Sequence, residues 1–260
     1  MRTIFAMGGG GFTMEPENPA LDDFILSLTG KPSPKVLFLP TASGDPNEHI
    51  HKYMGAFSEK VCQPEHLSLF RLGSHPVDLE ELLFAQDVIY VGGGSMKNLL
   101  AIWRVHELDR ILRECWDRGI ILAGLSAGAM CWMEWGVTKS TGHPEAVPGL
   151  GLLPGSLTVH YDGEVDRRPV YLQAVADGVI PPGYAADDGV GLLFREREFV
   201  RAVSSRPDGR AFRVERRDGA AVEVPLEVEY LGTPDSGHGT SGLAADVREF
   251  RATRYGAMGR

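Results

Sequence analysis

The chain has 260 residues, 43% apolar and 23% charged, with a formal net charge of −9 at pH 7; that is length enough for one large α/β domain with a substantial core. The acidic balance argues against a nucleic-acid partner, no apolar run approaches the ~18–20 residues of a bilayer span, and the opening MRTIFAMGGGG breaks into glycine before a signal sequence can form. Cys62, Cys115 and Cys131 stand at spacings that suit neither a disulfide framework nor a zinc site, so a cytoplasmic location without cofactor or metal is expected.

In chain order, TIFAMG reads as a strand and PALDDFILSLTG as a helix, with Pro19 near its start and Gly30 past its end. KVLFLPTA is a near-continuous apolar strand, followed by a helical stretch from about Pro46 to Val61. HLSLF is a short strand and VDLEELLF a helix. DVIYVGGG is the next buried strand, SMKNLLAIWRVHELDRILRECWDRG is helical, and IILAGLS is a strand that ends at Ser126. Buried strands alternating with helices imply βαβ units and a parallel sheet covered on both faces.

After about residue 135 the pattern changes. LTVHYD is a strand among turn glycines and prolines, RRPVYLQAVADG is helical, and GYAADDGVGLLFRE with EFVRAVSS reads as a hairpin. AFRVERRDGAAVEVPLEVEYL alternates as β around an Asp218-Gly219 turn. The Gly/Ser-rich GTPDSGHGTSG and the residues after it read as a flexible tail ending in a short, loosely attached helix. The expected organisation is a single α/β domain over 1–232 with a tail over 233–260.

Gly124-Leu125-Ser126-Ala127-Gly128 fits G-x-S-x-G, the nucleophile elbow. Glycines on both sides permit a tight turn that lifts the serine oxygen above the sheet edge. The Ala127 amide and the start of the next helix can then meet a developing oxyanion. A plain helix N-cap matches the same pentapeptide equally well. Gly92, Gly93 and Gly94 end the preceding strand, at the edge where parallel sheets bind ligands. Gly93 or Gly94 offers a second amide to the same oxyanion. The loop lacks the P-loop pattern, and Lys97 stands where the third glycine of a dinucleotide fingerprint belongs. The run Gly8 to Gly11 fails that fingerprint too.

A serine nucleophile needs a histidine and an orienting carboxylate. Of the eight histidines, His160 lies at a strand end where an inward-facing group belongs, whereas His238 lies in the tail. Asp187 and Asp188, in YAADDGVGL, and Asp162, two residues from His160, are the carboxylate candidates. The alternating acids Asp162, Glu164 and Asp166 suggest a calcium loop, but Arg167 stands where its glycine is required.

YVGGGSMKNLL, GLSAGA, TVHYD and ADDG, in this order and at these spacings, resemble the peptidase E family of serine dipeptidases, relatives of cyanophycinase, over roughly residues 1 to 205. The resemblance implies a three-layer α/β/α fold like that of class I glutamine amidotransferases, with a mostly parallel central sheet, here followed by C-terminal β-hairpins. It implies cleavage of dipeptides with an N-terminal aspartate through an acyl-enzyme. By position, Ser126 would be the nucleophile, His160 the base and Asp188 the acid, where the family usually has Glu. Gly93 or Gly94 with Ala127 would form the oxyanion hole. Two departures touch the substrate side. Ser95 replaces the usual Asn after the glycine loop, and the stretch between His160 and Asp188, where a substrate-binding Arg is expected, is short. Arg167 and Arg168 are the candidates there, since a guanidinium grips a carboxylate with two hydrogen bonds. The expected partner is a small peptide substrate, and a homodimer is left open.

Three other readings compete. An α/β-hydrolase esterase would use Ser126, Asp188 and His238 in that order, but requires a base in the tail and more strands after the elbow than the sequence offers. A non-catalytic binding protein on the same fold should lack a triad member, and none is lacking. A glutamine amidotransferase would need a Cys nucleophile; Cys131, five residues past Ser126, reads as a small buried residue.

Overall fold

The computed structural model describes residues 1–57 and 62–232. The strands are β1 (Thr3–Met7), β2 (Lys35–Leu39), β3 (Gln63–His66), β4 (Val88–Val91), β5 (Ile121–Leu125), β6 (Met133–Thr138), β7 (Glu145–Pro148), β8 (Leu153–Thr158), β9 (Gly183–Ala186), β10 (Val190–Arg195), β11 (Glu198–Ser204), β12 (Ala211–Arg217), β13 (Ala220–Pro225) and β14 (Val228–Tyr230). The helices are α1 (Gly11–Met14), α2 (Ala20–Ser27), α3 (Asn47–Ala56), α4 (Leu79–Phe84), α5 (Met96–Val105), α6 (Leu108–Asp117), α7 (Ala127–Met130) and α8 (Arg167–Ala176).

An eight-stranded sheet runs β14-β11-β10-β1-β5-β4-β2-β3. From β1 to β3 every neighbouring pair is parallel. β1, β4, β5 and all of β2 but Lys35 are apolar because both faces are covered, whereas the edge strand β3 is polar and largely exposed. The period of two still sorts their side chains. Phe5, Met7, Phe38 and Tyr90 pack with Phe24 of α2 and Tyr53 of α3. Ile4, Ala6, Leu39 and Val91 pack on the other side with Trp103 of α5 and Trp116 of α6. The result is the three-layer α/β/α arrangement with a mostly parallel central sheet.

A second, six-stranded sheet, β13-β12-β9-β8-β6-β7, takes up most of the chain after the elbow. Leu153, Leu157 and Ala186 extend one core cluster from it, while α8 covers its far face through Tyr171 and Val175. The expected hairpins are present as β10–β11 and β12–β13. The latter turns at Asp218 and Gly219, both with positive φ (51° and 79°), as a two-residue hairpin loop demands.

Several boundaries differ from the sequence reading. HLSLF is not a strand: the strand is Gln63–His66, and Leu67 and Leu69 enter the core from the turn beyond it. GYAADDGVGLLFRE is not one hairpin arm: it splits into β9, which belongs to the second sheet, and β10, which pairs with β11 in the first. The long helical stretch is two helices, broken where Glu107 takes φ 55°; one helix over that span would run ~33 Å, about twice the length of the strands beneath it. Residues 58–61 of the helix expected from about Pro46 to Val61, and the tail, lie outside the described residues. Among the described residues nine strands follow the elbow, so a shortage of strands is no argument against an α/β-hydrolase.

Candidate active site

Ser126 leaves β5 with φ 54° and ψ −116°, a conformation that costs a non-glycine residue about 1–3 kcal/mol. The surroundings impose it. The Ser126 amide donates to Met7 O at 3.0 Å, extending the β1–β5 pairing, and Ser126 O accepts from the Ala129 and Met130 amides, each at 3.0 Å. Both flanking glycines are needed. A Cβ on Gly124 would lie 2.3 Å from Gly128 O, and one on Gly128 would lie 2.4 Å from Val91 O. Ser126 occupies the N-cap position of α7, yet its side chain makes no capping bond.

The hydroxyl instead meets His160. His160 Nε2 lies 2.9 Å from Ser126 Oγ, and His160 Nδ1 lies 2.6 Å from Asp188 Oδ1. A proton on Nδ1, donated to the carboxylate, leaves Nε2 as the acceptor for the hydroxyl. The histidine and aspartate side chains are 16% and 15% exposed, so the line is shielded but reachable. His160 follows β8 and Asp188 follows β9, so the second sheet supplies the histidine and the acid and the first sheet the serine.

The three candidate carboxylates separate by partner. Asp188 holds the imidazole. Asp162 Oδ1 accepts the Asp188 amide at 2.9 Å. Asp187 turns away, accepting from Arg210 Nε at 3.0 Å, and burial pushes its carboxyl above the ordinary range.

Two glycine loops frame the line. Gly93 lies against the serine: a Cβ there would be 3.3 Å from Ser126 Cβ. Gly94 takes φ 139° because Ala42 O crowds it, 2.3 Å from where its Cβ would stand. Among the described residues the Gly93, Gly94 and Ala127 amides have no protein acceptor. The loop at Gly8 to Gly11, which matched no phosphate motif, wraps the acid. A Cβ on Gly9 would sit 2.1 Å from Asp188 Oδ1, and one on Gly8 2.3 Å from Asp187 O. Sequence reasoning missed this role, since only the fold brings residue 9 to residue 188.

The substrate-side candidates fare differently. Ser95 Oγ caps α5, accepting the Asn98 amide at 3.2 Å. Arg168 donates to Glu223 Oε2 at 2.6 Å and lies over the Tyr161 ring at 5.2 Å. Arg167 is buried and donates to Glu164 Oε2 from Nε (3.1 Å) and Nη2 (2.9 Å). Its Nη1 is buried without an acceptor, and burial lowers the guanidinium's pKa. His238 lies outside the described residues. The acids weighed for calcium are engaged: Asp162 with an amide, Glu164 with Arg167, Asp166 with Lys139. Among the described residues no group of three or more His, Cys, Asp or Glu could hold a metal ion, and no helix is long and apolar enough to cross a membrane. Cys131 is buried, donates to Gly128 O at 3.3 Å, and is pushed by burial well above the ordinary thiol range.

Comparison with known proteins adds to this geometry. The model of peptidase family S51 matches residues 4–202. The uncharacterized peptidase YgaJ of Bacillus subtilis (strain 168) is 48% identical over 232 residues, covering 89% of this chain and 100% of its own. A crystal structure of a peptidase from an acI-B1 Actinobacterium superposes with a TM-score of 0.65 at 17% identity, over 88% of this chain and 95% of that one. A putative peptidase E protein from Listeria monocytogenes EGD-e gives 0.54 at 19% identity, over 77% and 97%. At these identities the two solved structures bear on the fold alone.

Proposed function

The chain belongs to peptidase family S51 and is a peptidase of that family, and from that premise we propose that it is a serine peptidase cleaving dipeptides through an acyl-enzyme on Ser126. The observation that carries the reading is the continuous line from Ser126 Oγ through His160 to Asp188, at 2.9 and 2.6 Å.

His160 Nε2 takes the hydroxyl proton as Ser126 Oγ attacks the scissile carbonyl carbon. The carbonyl oxygen gains the negative charge and turns toward the Ala127 amide and that of Gly93 or Gly94. Asp188 stays ionised and stabilises the imidazolium, which then protonates the leaving amine. Water, activated by the same imidazole, attacks the acyl-serine and returns the proton to Ser126 Oγ. Each oxyanion donor is worth roughly 10²–10³ in rate.

A preference for N-terminal Asp would need a cation at the acyl side. Arg167 is the stronger candidate, because its Nη1 lacks an acceptor while Arg168 is committed to Glu223. For Ser95 or Arg168 to bind substrate, each would have to release its present partner. The test is a dipeptide panel led by Asp-initiated members, run on wild type, S126A and R167Q. Asp-selective hydrolysis lost in S126A, with a raised KM for Asp substrates in R167Q, supports the reading. Equal hydrolysis by S126A overturns it.

A further inference from the structure

Arg206 lies just past β11, on the acid side of the line from Ser126 to Asp188. Its Nε donates to Glu15 Oε1 at 2.6 Å, and Glu15 Oε2 accepts the Ser205 hydroxyl at 2.6 Å. Its Nη1 stands 3.8 Å from Asp162 Oδ2, and Asp162 Oδ1 holds the Asp188 amide. One guanidinium thus ties the segment after α1 to the His160 loop and, through Asp162, to the backbone of the residue that grips the imidazole. Backbone bonds close the same ring: the Ser205 amide to Gly189 O at 2.9 Å, and the Gly189 amide to Gly9 O at 3.2 Å.

Glu15, Asp162 and Asp188 converge here, and like charges gathered in one place repel one another. A planar guanidinium with donors on several edges can bridge two of them, which an ammonium on a flexible stem does less well. The hydrogen bond to Glu15, then the charges of Glu15, Asp188 and Asp162, hold the Arg206 pKa above its ordinary value. No hydrogen bond joins Arg206 to Ser126 or His160, so any part it plays passes through the acids.

We propose that Arg206 is a positioning residue of the active site, acting through Asp162 and Glu15 to hold the Asp188 turn against His160 and to set the charge the imidazole feels. The inference rests on the triad reading. Besides Asp188, Asp162, Arg206 and Glu15, the segments that carry His160 and Asp188 and their ion-pair partners bring Asp187 on the acid turn with Arg210, Glu164 and Asp166 on the His160 loop, Arg167 at the head of α8, and Lys139 after β6, which pairs with Asp166. Among them Asp187, Asp166, Lys139, Glu164 and Arg167 already sit in ion pairs of their own. Arg206 and Asp162 are therefore the pair whose removal should act on the imidazole in opposite senses.

The experiment tracks the His160 ring titration by proton NMR in wild type, R206Q, R206K and D162N, with the resonance assigned from H160Q. Removing the cation should raise the His160 midpoint by roughly half a pH unit, the size expected of one partly screened charge acting through its neighbours. D162N keeps an oxygen for the Asp188 amide but removes a negative charge, so its midpoint should fall by a similar amount. R206K should return most of the way to wild type. A midpoint that stays at the wild-type value in R206Q, or that moves in the same direction in R206Q and D162N, overturns the proposal. If R206Q fails to fold, R206M, which removes the charge but keeps most of the side chain's volume, takes its place, and an unmoved midpoint there overturns the proposal. Peptide hydrolysis by S126A is measured alongside: retention there sinks the triad reading itself, whereas its loss with unmoved midpoints sinks only the role of Arg206.

Discussion

Replacing Gly9 with alanine adds one methyl group, and the structure places that carbon 2.1 Å from Asp188 Oδ1 and 3.0 Å from Met14 Sδ. Non-bonded heavy atoms settle at about 3.5 Å, so the carboxylate must retreat by more than ~1 Å. That oxygen is the one His160 Nδ1 holds at 2.6 Å, and the Asp188 backbone is tethered by Asp162. The side chain can therefore move only by giving up the imidazole. Misplacing a catalytic group by about 1 Å costs on the order of 10² in rate, and losing the acid's function altogether costs about 10⁴. G9A should therefore lose roughly 10²–10⁴ in kcat/KM on the best wild-type substrate. Gly9 is not among the positive-φ residues, so alanine brings no left-handed strain, and the melting temperature should change by only a few degrees. Steady-state kinetics with a thermal melt on the same preparation is the assay. Wild-type kcat/KM in a folded G9A would refute the account of why the amino-terminal glycines pack on the acid.

Gly128→Ala should act on the fold as well as the site, because its Cβ would meet two backbone carbonyls, Val91 O at 2.4 Å and Gly92 O at 2.8 Å; overpacking of that kind costs about 1–3 kcal/mol, readable by urea unfolding. Gly55→Ala in α3, where among the described residues no atom beyond its chain neighbours and its own helix backbone lies within 4 Å of the new carbon, is the contrasting case and should stabilise by about 0.4–1 kcal/mol. Burial raises the Asp187 carboxyl in the folded state, so the native protein holds that proton to higher pH than the unfolded chain does. Its contribution to stability therefore falls as pH rises from the ordinary carboxyl range, about 4, through the raised value, and is level above it. The stability of wild type minus that of D187N, measured across that window, should decline; a flat or rising difference contradicts the stated cause.

Much of the central sheet was legible because β1, β2, β4 and β5 are short apolar runs bounded by glycine or proline and set between helices of 3.6 periodicity, whereas the polar edge strand β3 carries no such signal. Ser126 was legible for the same local reason: its two glycines stand within the pentapeptide that needs them. The second sheet was not. Its strands lie among prolines and glycines, and pairings such as β6 with β8 and β9 with β12 join segments that are not consecutive in the chain. Asp162, Asp187 and Asp188 could not be ranked from sequence, since what separates them is Arg210, the Asp188 amide and the imidazole, each brought in by the fold. Arg167 and Arg168 are neighbours in the chain, yet α8 turns them about 100° apart. One then meets Glu164 inside, and the other meets Glu223, 55 positions away.

The central claim is that Ser126 carries the acyl group. Its most direct test is acid-quenched intact-mass analysis during turnover of an activated ester bearing the acyl half of the best dipeptide substrate, in wild type and S126A, with the modified peptide then mapped. The account predicts an added mass equal to the acyl group, located on Ser126 and absent from S126A. An acyl group mapped to any other residue, or undiminished turnover by S126A, would contradict it.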